Sequence, residues 1–180
     1  KTTTVRFIIG VMEKLSKICR ISGVKIALAA PTGMAAKRMK AATGKEAKTI
    51  HKLIEYNPAL PALTLNEDNP LPYDFVIVDE LSMVDIDTMA MLLRAVCSDT
   101  QLLLLGDVNQ LPSIGPGEVL HDMINSGIFQ VTALKRSFRH GARRTILDNA
   151  NRVLEGSTEL DFGHSDCVFY NVPDSSDDKN

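Results

Sequence analysis

Short apolar runs alternate with segments of helical pattern, and this alternation constrains the fold of the 180-residue chain more than any other feature. FVIVDE at 75–80 and QLLLLGD at 101–107 are nearly continuous apolar runs that end in polar residues, and VKIALAA at 24–30 is a third run. Such runs are typical of strands buried on both faces of a sheet. The alternation therefore predicts an α/β fold with a mostly parallel sheet covered by helices on both faces.

Weaker patterns extend this alternation along the chain. We predict helices at about 2–21, 33–44, 49–56, 85–97, 117–127 and 145–156, and further strands at 129–134 and 167–172. Residues 57–72 contain four prolines and no helical period, which predicts a surface connection. The acidic segment 174–180 is predicted to be a disordered tail.

Charge is segregated along the chain although the net charge is only −2. Residues 1–56 carry 12 Lys and Arg against three acidic residues, a difference of +9, and residues 133–152 carry six against one, a difference of +5. Between them, residues 57–132 carry one Arg against 11 acidic residues, a difference of −10. The two basic segments are candidates for one electropositive track that binds a polyanion, and the alternative is that both are solvated faces.

The cysteines and the hydropathy pattern exclude several classes of protein. Cys19, Cys97 and Cys167 are isolated, with no CxxC or Cys/His spacing, so we expect neither a zinc site nor a disulfide framework. No apolar run has the length needed to cross a bilayer. The predicted location is the cytoplasm.

Polar side chains follow two of the predicted strands at the point where each strand ends. Asp79 and Glu80 come directly after FVIV, and Gln110 follows QLLLLGD within a short turn. In open parallel sheets, ligands bind beyond the carboxyl ends of the strands. One carboxylate there can hold a hydrated Mg²⁺, its neighbour can activate a water, and a Gln can both donate to and accept from a phosphate or its attacking water.

The opening residues KTTT precede a stretch of helical character. A phosphate-binding loop of the form GxxxxGK[ST] places its Lys on the phosphates and its hydroxyl on Mg²⁺ at the start of a helix. Lys1 and Thr2 match the last two positions, whereas the glycines and the preceding strand are absent. We interpret KTTT as the end of a truncated phosphate-binding motif, and the chain as a fragment.

Several stretches together resemble the motor core of RecD-type superfamily-1 DNA helicases. They occur in the order of that family and span most of residues 1–172: APTGMAAKRM, TIHKLIE, VIVDELSMVD, LLGDVNQLPSIGPGEVL, LKRSFRH and TILDNANRVLEG. GDVNQLPSIGPG is the most specific of them and KTTT the least. The resemblance implies a RecA-like P-loop fold that uses ATP and Mg²⁺, with Lys1 on the phosphates, Thr2 and Asp79 on Mg²⁺, and Glu80 activating the hydrolytic water.

The same resemblance implies further roles. Gln110 would sense the γ-phosphate, and Arg139 would approach it from a second motor domain as an arginine finger. Single-stranded DNA would be held at the residues Pro31, Thr32, Thr49 and His51. Residues 31 and 32 lie between a strand and a helix, and Thr49 has the character of a helix N-cap, so both positions suit a phosphate independently of the resemblance.

The resulting hypothesis assigns 1–132 to a first motor domain, 133–173 to the start of a second, and 174–180 to the tail. The parent protein would be an ATP-dependent 5′→3′ DNA helicase, acting alone or as a subunit of a recombination nuclease complex, and the isolated fragment would be inactive. A small-molecule P-loop kinase is the alternative enzyme, which DNA-independent ATP consumption with a metabolite acceptor would favour. A binding module that has lost turnover is the non-enzymatic alternative.

Overall fold

The computed structural model describes residues 2–19, 23–59, 64–134, 145–162, 167–168 and 170. The chain divides into two compact units, Lys1–Gln130 and Val131–Asn180. This division lies close to the predicted boundary at 132, and the assignment of the two parts to two motor domains stays a prediction. The predicted tail at 174–180 lies outside the described residues.

A parallel sheet forms the centre of the first unit. Its four strands lie in the order β2-β1-β3-β4, with bounds β1 Ile26–Ala30, β2 Lys48–Thr49, β3 Phe75–Val78 and β4 Gln101–Leu104. Every strand pair is parallel, and Ala29 is in register with both Lys48 and Val78, while Val78 is in register with Leu104. The carboxyl ends of the strands therefore share one edge, as the sequence predicted. Strand β2 is an addition, because we predicted only a helix from Thr49.

The described α-helices all fall within the predicted helical segments and are shorter than those segments, whereas the short 3₁₀ helix was not predicted. They are α1 Thr2–Ile18, α2 Gly33–Thr43, α3 Ile50–Leu53, α4 Ile86–Ala95, α5 Val119–Asn125 and α6 Thr145–Leu154, with a short 3₁₀ helix at Leu81–Met83. Gly44 ends α2 in the left-handed conformation with φ +73°, and its N–H donates to the Lys40 carbonyl over 2.8 Å. Among the described residues, no helix combines the length and apolar character needed to cross a membrane.

Two apolar layers enclose the sheet. On one face, Leu28 and Ile77 pack with Val5, Ile9 and Met39 from α1 and α2. The alternate residues of β1 and β3 point to the other face, where they pack with α3, α4 and the first residue of α5. Burying each large apolar side chain stabilises the fold by about 1.5–3 kcal/mol. The prediction of helices on both faces of a parallel sheet is confirmed.

The connection at 57–72 contributes more to the core than we predicted. In its described part, Leu65 and Leu71 are buried among the side chains of the α3–α4 layer. The Leu71 N–H also donates to the carbonyl of Ala95 over 2.7 Å, which fixes the connection to the end of α4. The prolines remove helical structure without preventing burial, so the prediction of a purely surface segment was wrong at these two leucines.

Two predicted strands are absent from the described residues. Residues 129–134 have extended sequence character but form no strand, and Phe129, Val131 and Leu134 are exposed. In the second segment, Cys167 forms an isolated bridge and Val168 and Tyr170 form no strand, while 169 and 171–172 lie outside the described residues. A strand requires the backbone of a neighbour, and an apolar pattern alone does not supply one.

Candidate functional site

Polar residues from two adjacent strand ends meet at what we call the β3–β4 edge, residues 79–86 and 105–118. The Asp79 N–H donates to the Ala29 carbonyl over 3.0 Å, and the Leu105 N–H donates to the Val78 carbonyl over 2.8 Å. These bonds continue the parallel ladders past the ends of the strands. The positions of Asp79 and Glu80 are thus set by main-chain hydrogen bonds on either side of them.

Glu80 combines two unfavourable features in one residue. Its backbone is left-handed, with φ 59° and ψ 41°, which costs a non-glycine residue about 1–3 kcal/mol. Its Oε2 is buried and has no hydrogen-bond partner among the described residues. An orphaned buried acceptor costs about another 1–3 kcal/mol. Strain and an unsatisfied carboxylate oxygen at one position indicate a group that is held ready for a ligand.

Asp79, the neighbour of Glu80, uses one carboxylate oxygen to bind the main chain. Its Oδ1 accepts a hydrogen bond of 2.8 Å from the Glu80 N–H, which supports the strained turn. The described residues contain no group of three or more His, Cys, Asp or Glu side chains that could hold a metal ion. Mg²⁺ does not need such a group, since one or two carboxylates and substrate phosphates suffice. The carboxylate of Asp79 therefore fits a hydrated Mg²⁺ that arrives with a phosphate ligand, and the orphaned Glu80 Oε2 lies on the next residue as a candidate acceptor for a water proton.

Gln110 lies on the loop that follows β4. The loop turns at Asp107, whose carbonyl accepts from the Gln110 N–H over 3.1 Å and whose Oδ1 accepts from the Asn109 N–H over 3.3 Å. The Gln110 side chain reaches the loop after β3, where its Oε1 accepts a 3.3 Å hydrogen bond from the Ser82 hydroxyl. A small pocket opens between these side chains. The structure thus brings the loop of Gln110 beside the loop of Glu80, as the sequence predicted.

His121 holds the opposite side of the β4 loop, and the sequence analysis missed it. Its Nε2 lies 3.2 Å from the Val108 carbonyl oxygen, and its Nδ1 lies 3.1 Å from Glu118 Oε2. The hydrogen bond to Glu118 is the main cause that raises the pKa of His121 above its ordinary value of 6.5, and the Val108 carbonyl adds to it. No local pattern links residues 108 and 121, so only the placement of α5 reveals the contact.

Glycines allow the two loops of this edge to approach closely. The Ile86 N–H donates to the Pro116 carbonyl over 2.9 Å. A Cβ added at Gly115 would lie only 2.7 Å from the Asp85 Cβ. A Cβ added at Gly117 would lie 3.2 Å from the Ile86 Cβ, and Gly117 also has a left-handed φ of +89°. Neither position accepts a larger side chain without displacing the start of α4. Residues 115–117, which we call the GPG turn, therefore pack closely against the loop after β3.

Asp85 caps α4 beneath this turn. Its Oδ1 accepts from the Thr88 N–H over 2.7 Å, and this bond is the main cause that lowers the pKa of Asp85 below its ordinary value of 3.8. The Thr88 hydroxyl and, more weakly, the charge of His51 act in the same direction, whereas burial opposes them. The ionised cap is thus favoured at neutral pH.

The remaining predicted side chains lie at what we call the β1–β2 edge, residues 31–35 and 49–52. Thr32 and Thr49 are both N-caps: Thr32 Oγ1 accepts from the Ala35 N–H over 3.2 Å, and Thr49 Oγ1 accepts from the Lys52 N–H over 3.3 Å. Each hydroxyl uses an acceptor lone pair in its cap and still carries a proton to donate. Because Ala30 is in register with Thr49, the two helix starts follow adjacent strands.

Pro31 precedes the first of these caps and His51 follows the second. Pro31 ends β1 and directs the chain into α2, and His51 lies in the first turn of α3 with its ring 5.4 Å from that of Tyr56 in an edge-on arrangement. The structure therefore collects all four residues that were predicted to bind DNA phosphates at one end of two neighbouring strands. Whether they bind DNA stays a prediction.

The basic side chains on α2 differ in whether their charge is already paired with an acidic side chain. All three side chains are exposed, and Lys40 differs from Lys37 and Arg38 in forming an ion pair with Glu46. Arg38 directs an Nη2 towards the sulfur of Met34 at 3.7 Å. Of the three basic residues, Lys37 and Arg38 are therefore the stronger candidates for a phosphate contact.

Three predicted site residues have side chains outside the part of the chain that the structure describes. Lys1 and Arg139 lie outside the described residues. Thr2 begins α1, and its side chain is not described. Their assignment to a phosphate site stays a prediction from the sequence.

Comparison with known proteins gives matches along most of the chain. A family model for an AAA domain matches residues 1–116. The chain is 35% identical over 178 residues to the RecBCD enzyme subunit RecD of Mycolicibacterium smegmatis, and 35% identical over 156 residues to the ATP-dependent RecD2 DNA helicase of Deinococcus radiodurans. These alignments cover 89% and 87% of this chain, respectively.

The relatives are much longer than the chain, which spans 32% of the M. smegmatis protein and 20% of the D. radiodurans protein. Among solved structures, Bacteroides Pif1 bound to ssDNA is similar with a TM-score of 0.54 and 23% identity, over 85% of this chain and 39% of that one. This structural likeness supports the α/β fold alone.

Proposed function

Because the chain belongs to the AAA domain family and is related to RecD-type helicases, we propose that it forms part of the motor of an ATP-dependent DNA helicase. The proposed motor moves 5′→3′ on single-stranded DNA and uses ATP with Mg²⁺. The observation that carries the proposal is Glu80, a strained carboxylate with an orphaned buried oxygen, next to Asp79 at a sheet edge that also presents Gln110.

The β3–β4 edge would perform the hydrolysis. Asp79 and Thr2 would hold Mg²⁺, which when bound neutralises charge on the phosphate oxygens. Lys1 would bind the same phosphates. Glu80 would accept a proton from the attacking water, a role for which its unpartnered Oε2 is suited.

Two side chains would respond to the γ-phosphate. Gln110 would bind it and change partner after hydrolysis, since its carboxamide can donate and accept. Arg139, which belongs to the segment assigned to a second motor domain, would stabilise the charge of the transition state. Such an arginine contributes about 10³–10⁵-fold in rate in other phosphoryl-transfer enzymes.

The β1–β2 edge would hold the DNA strand. Thr32 and Thr49 would donate their hydroxyl protons to phosphate oxygens, and the N-terminal amides of α2 would add partial positive charge. Pro31 and His51 complete this contact surface. Hydroxyls and helix N-terminal amides suit phosphate oxygens, and phosphate contacts carry no sequence information, which fits a protein that moves along DNA regardless of sequence.

The biological setting is a further part of the proposal. M. smegmatis RecD is named as a RecBCD subunit and D. radiodurans RecD2 as a helicase in its own right, so a recombination nuclease complex and independent action are both candidate settings. We propose a cytoplasmic location, in keeping with the three free cysteines. We also propose that the 180 residues alone neither hydrolyse ATP nor unwind DNA, because they lack the glycines of the phosphate-binding loop.

The decisive experiment is the ATPase rate of the full-length protein with and without single-stranded DNA, beside a Glu80→Gln variant. We expect strong stimulation by DNA and a loss of about 10²–10⁴-fold in Glu80→Gln, which removes the base and keeps the shape. An unstimulated ATPase that the same substitution abolishes would exclude the translocase. Robust turnover by the isolated 180 residues would contradict their proposed inactivity.

A further inference from the structure

Three hydrogen bonds between described residues join the two loops of the β3–β4 edge. Main-chain hydrogen bonds form two of them, from the Leu81 N–H to the Leu105 carbonyl over 2.8 Å and from the Ile86 N–H to the Pro116 carbonyl over 2.9 Å. The third, between these two in both loops, is the side-chain hydrogen bond from Ser82 to Gln110. The main-chain bonds hold the loops together whatever the side chains do, so the Ser82–Gln110 bond is the contact between the loops that depends on the orientation of a side chain.

The hydrogen bond from Ser82 holds one end of the Gln110 carboxamide. A free carboxamide can rotate by half a turn and present either its oxygen or its NH₂ group. The Ser82 hydroxyl donates to Oε1 at 3.3 Å, so the oxygen faces Ser82 and the NH₂ group is turned away from it. An NH₂ group donates to an anion, whereas an exposed amide oxygen would repel one.

We propose that Ser82 is a positioning residue that orients the Gln110 carboxamide so that its NH₂ group donates to the terminal phosphate of a bound nucleoside triphosphate. The inference rests on the proposed function and specifies it: Gln110 acts as a donor to the phosphate, and the attacking water is left to Glu80.

The position of Ser82 in the fold supports this role. It lies in the short 3₁₀ helix that begins directly after Glu80, so Glu80 and the partner of Gln110 are carried by one rigid turn. The Val84 N–H donates to the Leu81 carbonyl over 3.0 Å and closes that turn. A displacement of Glu80 would therefore move Ser82 and release Gln110. The 3.3 Å bond is long for two oxygens, as is common before a ligand tightens a site.

The test compares binding of ATP, or a non-hydrolysable analogue, with binding of ADP to the full-length protein. Ser82→Thr and Ser82→Val form a matched pair, since they have nearly the same shape and differ in the hydroxyl. We expect Ser82→Thr to keep the preference for the triphosphate and Ser82→Val to lose about threefold to tenfold of it, the range for one neutral hydrogen bond. ADP affinity should be unchanged in both. Ser126→Ala, which removes a hydroxyl that donates to the Met123 carbonyl in α5, is the control and should behave as wild type.

A double-mutant cycle separates positioning from general stability. If Ser82 acts through Gln110, Ser82→Val should have no further effect on triphosphate preference once Gln110→Ala is present. Equal preference in the Thr and Val variants would overturn the inference, and so would additive effects in the cycle. Failure of the proposed function is distinct, because it would appear as a wild-type protein whose ATP hydrolysis does not depend on Glu80.

Discussion

The two edges of functional residues follow strands of the same sheet but are built in opposite ways. The β3–β4 edge contains a left-handed Glu80, an orphaned buried oxygen and glycines pressed against the next helix. The β1–β2 edge contains two ordinary helix starts whose Thr caps are satisfied. The surrounding segments differ in charge as well, from −10 over residues 57–132 to +9 over residues 1–56.

This difference matches what each edge is proposed to do. Proton transfer to a defined atom needs a carboxylate held within a few tenths of an ångström, and strain around it is tolerated because the neighbouring strands fix the backbone. Attraction of a phosphate chain needs N–H groups, hydroxyls and positive charge, and tolerates variation in their positions. We therefore expect the β3–β4 edge to be sensitive to shape and the β1–β2 edge to be sensitive to charge.

The largest expected effect is a shape change at the GPG turn. Gly115→Ala should place its Cβ against the side chain of Asp85, separate the two loops and destabilise the fold by about 1–3 kcal/mol, with loss of ATPase activity. Gly33→Ala is the matched change at the other edge, where an added Cβ meets nothing within 4 Å. Thermal unfolding and ATPase assays of both variants check this. If both glycine variants behave alike, the two edges do not differ in their sensitivity to shape.

A smaller effect is expected at the cap of α4. Asp85→Ala should weaken the first turn of the helix by about 1 kcal/mol, whereas Asp85→Asn keeps a capping oxygen and should lose less. Because the folded pKa of Asp85 is lowered, its ionised form stabilises the fold above pH 3.8 and this contribution is lost as the pH falls through the folded pKa. Hydrogen exchange of α4 between pH 3 and 7 is the measurement. An acid dependence in Asp85→Asn equal to that of the wild type would contradict the assignment.

At the β1–β2 edge the expected effect is electrostatic. Lys37→Ala and Arg38→Ala should each lower the affinity for single-stranded DNA and reduce the salt dependence of log Kd by about 0.7. Lys40→Ala is the control, since Glu46 already pairs with that charge, and it should have a smaller effect. Titrations at several salt concentrations measure the slope. A slope that stays the same in all three variants would place the DNA elsewhere.

The smallest effect is expected at His121, which is exposed. Glu118 is the main cause of its raised pKa, so the stabilisation by protonated His121 is complete below pH 6.5 and is lost as the pH rises through the folded pKa. His121→Gln should therefore lower the melting temperature of the protein more at pH 6 than at pH 9. The same difference at both pH values would show that protonation of His121 does not contribute.

Much of the β3–β4 edge could be predicted from local sequence. Apolar runs that end in polar residues located Asp79, Glu80 and Gln110 at strand ends, because the burial of a strand is visible in its own residues. Thr49 was recognised as a cap for the same reason, since the residues that it caps follow it directly. The prediction of a strand at 129–134 was wrong because an apolar pattern does not show whether a neighbouring strand is present to pair with it.

What the sequence determined by itself is the α/β class, the positions of the helices and the polar residues at the ends of β3 and β4. The tertiary structure alone decided the order of the strands and three contacts: the hydrogen bond between Ser82 and Gln110, the contact of His121 with the Val108 carbonyl, and the close approach of Gly115 to Asp85. The physical reason is the separation along the chain of the residues that interact. Periodicity and capping depend on residues within one or two turns, whereas these contacts join residues 13 to 30 positions apart, and only the packing of helices on a shared sheet brings them together.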